Sequence, residues 1–352
     1  MIMVCAARYN HEVTELTLTS EQTAWCDAVL PDEEPGARPW KLEGLRAEAS
    51  HRQFFRMQPN SNQQASLVLM SSPPELERNV QFMALADVFS RQGIPVPSIY
   101  AHNHHLGLYL MTDLGTIDLE AAYASPSRNQ AVQSAVELLW RLQPIQDNAI
   151  EPYTRDRFEM ELGIFNEWFV ENFLEQTENR AAYAPSYGLL LEAIEMQPIG
   201  CVHRDYHCRN LLFNEGQLGV VDFQDALAGP VLYDLASLLR DCYYAFKEDE
   251  VDDWIDHYLS HDGPLMAPLR TQSRDEIRRQ FDWTAIQRQL KAIGIFARLH
   301  LRDGKSSHLP YILPLLERLL TLLAQYSDLS DLQLQLSHCT KLCRQRMDGN
   351  PA

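Results

Sequence analysis

The stretch VHRDYHCRNLLFNEGQLGVVDFQDALAGPVLYDLASLLRDCY, residues 202–243, sets His203, Arg204, Asp205, His207, Asn210, Asp222, Asp225 and Asp234 between short apolar runs. Polar groups resist burial unless they are paired or serve chemistry. Asp205 and Asn210 stand five positions apart, ahead of the apolar run Leu211–Phe213, so a loop can present both while the next strand anchors it. Asn214, Glu215 and Gly216 supply a hairpin turn, and Asp222 closes the second strand. Three oxygen-bearing side chains are therefore expected to converge on one rigid support. Mg²⁺ prefers oxygen ligands and leaves most of its shell to water and phosphate. On this reading Asn210 and Asp222 ligate the metal of Mg-ATP, and Asp205 accepts or orients the proton of an attacking hydroxyl.

Working outward from this stretch, the earlier part of the chain reads as a small β-rich lobe. Thr19 and Gln22 have capping-box spacing and predict a helix ahead of Trp25, Ala28 and Val29, ended by PDEEPG from Pro31. Strand-like pieces follow in WKLEGLRAEAS, FFRM and ASLVLM, the last two separated by the turn-rich QPNSNQQ. Ser72, Pro73 and Glu75 predict a helix start, closed at RQGIPVPSIY. Two more strands are expected near Val96–Ala101 and in LGLYLMTDL. Beyond them helical periodicity dominates, as in Val132, Val136 and Leu139 and in ELGIFNEWFVENFL. The expected fold is α+β and two-lobed, with residues 1–112 forming a sheet-bearing N-lobe and 113–352 a mainly helical C-lobe.

Composition restricts the partners. The 352 residues, 45% hydrophobic, suffice for two lobes with a large core. A formal charge of −18 repels polyphosphate backbones and anionic membranes, which argues against nucleic acid. No apolar run approaches the roughly 20 residues that span a bilayer, and MIMVCAARYN does not read as a secretory signal, so a cytoplasmic protein is expected. Seven scattered cysteines without CxxC spacing read as reduced thiols. The oligomeric state is not written in these features.

HRDYHCRN followed by DFQ resembles the catalytic and metal loops of the protein-kinase-like fold, in particular its aminoglycoside phosphotransferase branch. With ELGIFNEWF and ASHRQFFR added, the chain is similar to the bacterial anomeric kinases that phosphorylate N-acetylmuramate and N-acetylglucosamine during cell-wall recycling. The resemblance implies ATP and Mg²⁺ as cofactors, a small amino sugar as acceptor, Asp205 as catalytic base and Asn210 and Asp222 as metal ligands. It also implies that MTDL, with Met111 and Asp113, is the hinge beside adenine. Aminoglycosides or other small alcohols remain open as acceptors, as does a silent kinase-like module.

Departures from the pattern sharpen the questions. Met70 stands where the third strand of such folds carries a phosphate-steadying lysine, and EASHRQFF has no glycine for a phosphate-covering loop. Arg52, or else Arg56, is the expected substitute, because planar guanidinium donors match phosphate oxygens. Glu75 is read as a cap, and Glu77 is left open as the cation's partner. Asp225 and Glu167 are candidates for sugar hydroxyls, and Trp168 is read as helix core. His203, His207 and Asp234 are expected to support the loop, and Arg204 to be paired or solvated. The HNHH run at His102–His105 reads as a loop between strands.

Overall fold

The computed structural model describes residues 18–30, 40–45, 51–59, 65–177 and 180–349. MIMVCAARYN, the expected turn at PDEEPG, the end of WKLEGLRAEAS, QPNSNQQ beyond Pro59 and the last three residues lie outside the described residues. The chain divides into two compact units, Met1–Val80 with Pro97–Leu114, and Gln81–Val96 with Gly115–Ala352. It is a mixed α+β protein with an antiparallel sheet in the first unit and mostly helices in the second.

The first unit begins with α1 (Ser20–Val29), whose capping box forms as expected: Thr19 Oγ1 accepts from Gln22 N–H, and Thr19 N–H donates to Gln22 Oε1. Strands β1 (Trp40–Gly44), β2 (Gln53–Pro59) and β3 (Leu67–Ser71) precede α2 (Asn79–Arg91), and β4 (Ile99–Asn103) and β5 (Leu108–Thr112) complete the sheet. Its order is β1-β2-β3-β5-β4, with every neighbour antiparallel. Cys26, Trp40, Phe55, Met57, Leu69, Leu108 and Leu110 form the apolar core beneath it. Met70, paired across the sheet with Phe54 and Tyr109, is itself completely buried.

Two boundaries differ from expectation. The helix opens at Asn79, not at Ser72, because Pro73 starts a turn whose carbonyl accepts from Leu76 and Glu77 N–H, while Asn79 Nδ2 donates to the Ser72 carbonyl. Strand β4 starts at Ile99, after Pro95 and Pro97, neither of which can donate to a ladder.

The second unit takes in the body of α2 and continues through α3 (Leu119–Ala122), α4 (Arg128–Leu142), β6 (Glu151–Pro152), α5 (Arg155–Ile164) and a π-helix over Phe165–Phe173. It then runs through α6 (Ala184–Glu195), β7 (Ile199–Val202), β8 (Leu211–Asn214), β9 (Gln217–Val220), β10 (Leu227–Pro230), α7 (Leu232–Leu239), α8 (Glu248–Leu259), α9 (Ala267–Arg270), α10 (Arg274–Asp303), α11 (Leu309–Leu323) and α12 (Ser330–Met347). Strands β8 and β9 form the expected hairpin, with Glu215 and Gly216 both at positive φ, as a tight two-residue turn requires. Helix α10 is buried along most of its length, and at Gly294 it touches the junction of α5 and the π-helix. A Cβ there would lie 2.6 Å from both Ile164 C and Phe165 N, so only glycine permits this approach. The expected helix in FNEWFVENF forms, but with the wider π turn.

Candidate active site

Strand β7 delivers the chain into the loop His203–Asn210, and two buried aspartates hold that loop by its backbone. Asp234, on α7, accepts from the N–H of His203 at 2.6 Å and of Arg204 at 2.9 Å. Asp241, just beyond α7, accepts from the N–H of Cys208 at 2.8 Å and of Tyr243 at 2.9 Å. Tyr206 Oη adds a bond to the Ala135 carbonyl of α4 at 2.8 Å. These restraints fix Arg204 at φ +78, a region that non-glycine residues occupy at a cost of about 1–3 kcal/mol. The strained turn at Arg204 directly precedes Asp205, which keeps partial exposure between the buried residues Arg204 and Tyr206.

Asp205, Asn210 and Asp222 meet. Asn210 Nδ2 donates to the Asp205 carbonyl at 3.0 Å and to Asp222 Oδ2 at 3.4 Å. Asp222, also at positive φ, accepts on Oδ1 from Gln224 Nε2 at 2.6 Å. All the contacts Asn210 makes through its side chain among the described residues use its amide nitrogen, which leaves its amide oxygen and the Asp222 carboxylate as hard oxygen donors. That donor set fits Mg²⁺ and not a thiophilic metal. Although Asp222 opens to solvent, the surrounding protein raises its carboxyl above the usual range; the Gln224 bond opposes this and the Asp205 charge adds to it. A cation held there relieves that repulsion.

The two histidines serve the loop. His203 Nε2 lies 2.9 Å from the Val221 carbonyl, and a carbonyl only accepts, so Nε2 carries the proton and ties the loop to the segment leading to Asp222. His207 Nε2 faces the Asn210 amide nitrogen at 3.4 Å, and burial pushes its pKa down to about 4, so it is neutral near pH 7. Phe223, beside Asp222, is clamped by Phe82 and Phe89 of α2 at centroid distances of 5.3 and 5.8 Å.

Beneath the loop lies a charge network that sequence reasoning missed. Glu161 of α5, 2% exposed, accepts from Arg204 Nη2 at 2.6 Å, from the Tyr153 hydroxyl and from Gln287 Nε2 at 3.3 Å, and faces Lys291 Nζ at 3.5 Å. Arg204 is thus an ion-pair residue and not a solvated one; its guanidinium also donates to the Asp225 carbonyl at 3.2 Å and lies 5.2 Å from the Tyr153 ring centroid. Burial alone would raise the Asp205 carboxyl, but the charges of Lys291, Arg204 and Arg288 together hold it well below the usual carboxylate range. The signal in sequence was the placement of charged residues in apolar helices, Glu161 beside Leu162 and Lys291 before Ala292 and Ile293. Neither residue lies near the motif.

The weaker acceptor candidates divide. Asp225, half-buried, stays close to the loop through its carbonyl. Glu167 is exposed on the π-helix, where its carbonyl accepts from Asn172, and no contact joins its carboxylate to the Asp205 group among the described residues. Trp168 packs against the main apolar core.

In the first unit, Arg52 is 2% exposed; its Nε donates to Ser72 Oγ at 3.3 Å and lies 3.5 Å from Glu77 Oε2. Glu77, which also accepts from His51 N–H at 2.9 Å, is therefore the acid that meets this cation. Arg56 donates from Nε and Nη2 to the Asp113 carboxylate at 2.5 and 3.2 Å, and Ser66 Oγ donates to the same group at 2.7 Å. Arg56 and Asp113 thus engage each other. Met111 is buried in β5 between Val68 and Ile99, leaving its backbone as its polar part.

Comparisons agree with this architecture. Among solved structures, a Plasmodium vivax ethanolamine kinase superposes with a TM-score of 0.63 at 12% identity, covering 87% of this chain and 91% of its own. The ADP-bound aminoglycoside phosphotransferase APH(2'')-Ib superposes with a TM-score of 0.56 at 14% identity, covering 85% and 97%. These likenesses establish the protein-kinase-like fold. Two relatives named N-acetylmuramate/N-acetylglucosamine kinase are closer in sequence. The Neisseria meningitidis protein is 31% identical over 316 residues, 88% of this chain and 92% of the relative. The Pseudomonas aeruginosa protein is 32% identical over 320 residues, 88% and 93%. With residues 41–271 matching the family model described as phosphotransferase enzyme family, this chain belongs to that family.

Proposed function

We propose that this protein transfers the γ-phosphoryl group of ATP to the anomeric hydroxyl of an N-acetylated amino sugar, N-acetylmuramate or N-acetylglucosamine, giving the sugar 1-phosphate. The observation that carries the reading is the convergence of Asp205, Asn210 and Asp222 on a loop locked by Asp234 and Asp241. The names of the relatives, at 31% and 32% identity, support the choice of acceptor. Free amino sugars released in wall recycling and a supply of ATP fit a cytoplasmic enzyme.

Asp205, held ionised by the cations around it, accepts a hydrogen bond from the sugar hydroxyl and aims its oxygen at the phosphorus. So weak a base takes the proton late, so its main work is positioning. Asn210 and Asp222 would hold Mg²⁺, which supplies charge neutralisation on the phosphoryl oxygens when bound. Arg52, paired with Glu77, takes the place of the strand lysine in steadying phosphate, while Arg56 holds Asp113. Asp225 is the nearer candidate for a sugar hydroxyl; Glu167 would need the sugar to extend to the π-helix.

The test is incubation with ATP, Mg²⁺ and a panel of amino sugars and aminoglycosides, followed by phosphorus NMR of the product. An anomeric phosphate is expected, and Asp205→Asn should lower kcat by about 10²–10⁴-fold. Turnover of aminoglycosides alone, or an Asp205→Asn enzyme as active as wild type, would overturn the reading.

A further inference from the structure

Arg288 and Lys291 of α10 are 4% and 6% exposed, and their donors are almost unused. A guanidinium offers five N–H donors. Among the described residues its only polar contact is Nη1 to Cys242 Sγ at 3.8 Å, and its buried Nε has no hydrogen-bond partner. Among the described residues Lys291 Nζ makes no hydrogen bond, and its ion pair is with Glu161, at 3.5 Å.

Among the described residues no carboxylate takes a hydrogen bond from Arg288 or Lys291, although Asp205 feels the charge of both. Asp234 and Asp241 each accept two backbone N–H groups, and Glu161 accepts from Arg204, Tyr153 and Gln287. Buried donors left without acceptors are costly, and a water, an ion or a ligand can complete the set. For a guanidinium the ligand of matching charge is an anion. Arg288 lies against the loop His203–Asn210: its Nη1 reaches Cys242 Sγ, and the residues flanking Cys242 hold that loop, Asp241 accepting from the Cys208 N–H and the Tyr243 ring lying 5.4 Å from the His207 ring. The residual exposure of Arg288 gives a ligand a point of approach, whereas Lys291 Nζ is sealed and can add only its field.

A planar guanidinium matches a carboxylate through two parallel bonds. We propose that Arg288 is the specificity residue that binds a carboxylate on the acceptor, so that the acidic sugar N-acetylmuramate, with its lactyl carboxylate, is preferred over uncharged N-acetylglucosamine. This rests on the amino-sugar kinase reading. A cation serving the transferred phosphoryl group instead would matter equally to both sugars, which separates the two roles experimentally.

The experiment measures kcat/KM for both sugars with wild type, Arg288→Lys and Arg288→Met, and for wild type with the neutral carboxamide of N-acetylmuramate. The N-acetylmuramate to N-acetylglucosamine ratio is expected to fall at least about tenfold in Arg288→Met, mainly through KM, the size expected for a lost hydrogen-bonded charge pair. Arg288→Lys should retain part of the preference, because the charge remains and the fork is gone. The carboxamide should show the same loss on wild type, an arm that needs no folded variant. A carboxamide as good as the acid, or an Arg288→Met enzyme that loses both sugars equally, would overturn the assignment while leaving the kinase reading intact. A wild-type protein that phosphorylates neither sugar would overturn the kinase reading and this assignment with it.

Discussion

Replacing Glu161 by Gln is the most direct probe of the buried charge network. The carboxylate is 2% exposed and lies between two cations, Arg204 Nη2 at 2.6 Å and Lys291 Nζ at 3.5 Å. Removing its charge while keeping its shape leaves both cations buried without compensation, and breaking a buried pair in this way costs about 3–5 kcal/mol. At about 2–4 °C per kcal/mol for a unit of this size, the melting temperature should drop by roughly 6–20 °C. The pH dependence gives an independent check. Burial would raise the Glu161 carboxyl, but Lys291 and Arg204, with the Tyr153 and Arg204 hydrogen bonds, lower it on balance. A carboxyl lowered on folding adds stability that is fully present above its unfolded value, about 4.3, and lost as pH falls through its folded value. Melting curves of wild type and Glu161→Gln should therefore run parallel from about pH 8 to 5 and converge below about pH 4. Adding Lys291→Met should restore part of the loss, since one orphaned cation is gone; this non-additivity is expected of groups in contact. A Glu161→Gln protein that melts within about 2 °C of wild type, or a gap that persists undiminished to pH 3, would refute the account.

Other consequences are as specific. Arg52→Ala should raise the KM for ATP and lower kcat, with Arg52→Lys recovering part because Lys can still pair with Glu77; unchanged ATP kinetics in Arg52→Ala would remove Arg52 from the phosphate site. Chelation of Mg²⁺ should abolish turnover, and Asn210→Ala should raise the Mg²⁺ concentration giving half-maximal rate; a metal titration identical to wild type would show that Asn210 is not a ligand. Gly294→Ala gains about 1 kcal/mol of helix propensity but forces its methyl into the 164–165 backbone, so it should melt below wild type; a higher melting temperature would mean the contact with the π-helix is not tight. Asp241→Ala leaves the Cys208 and Tyr243 N–H groups without their acceptor, so hydrogen exchange at these two amides should accelerate while distant α12 stays protected.

What could be read from sequence follows from how local each feature is. The Thr19–Gln22 capping box, the Asn214–Gly216 turn and the strands of the small sheet are set largely by neighbours in the chain, and the structure has them where expected apart from the later start of β4. That Asn210 reaches both the Asp205 carbonyl and the Asp222 carboxylate is also a local matter, because one loop and one hairpin suffice to bring these groups together. The Ser72 helix start was misplaced because Ser72 bonds to Asn79, seven residues on, and a cap is read only three residues ahead. The π turn over Phe165–Phe173 has no local mark, since its apolar spacing also fits an α-helix.

Helix α10 shows where pattern reading stops. It carries Gln280, Asp282, Gln287, Arg288, Gln289 and Lys291, and all six are buried. Amphipathic reasoning assumes that polar residues seek water, and it fails where they seek one another. Asp282 is claimed by Arg240 and Arg278, and Gln287 by Glu161, whose other partners lie 43 and 130 residues along the chain at Arg204 and Lys291. A chain of net charge −18 that sets buried Arg204, Arg288 and Lys291 under Asp205 is shaping a local field against its own average. That field holds Asp205 ionised and leaves the Nε of Arg288 without a hydrogen-bond partner among the described residues. Because the cations and the acids come from segments folded together from distant positions, no window of sequence contains both, and the motif at 203–222 announces the reaction without announcing what tunes it.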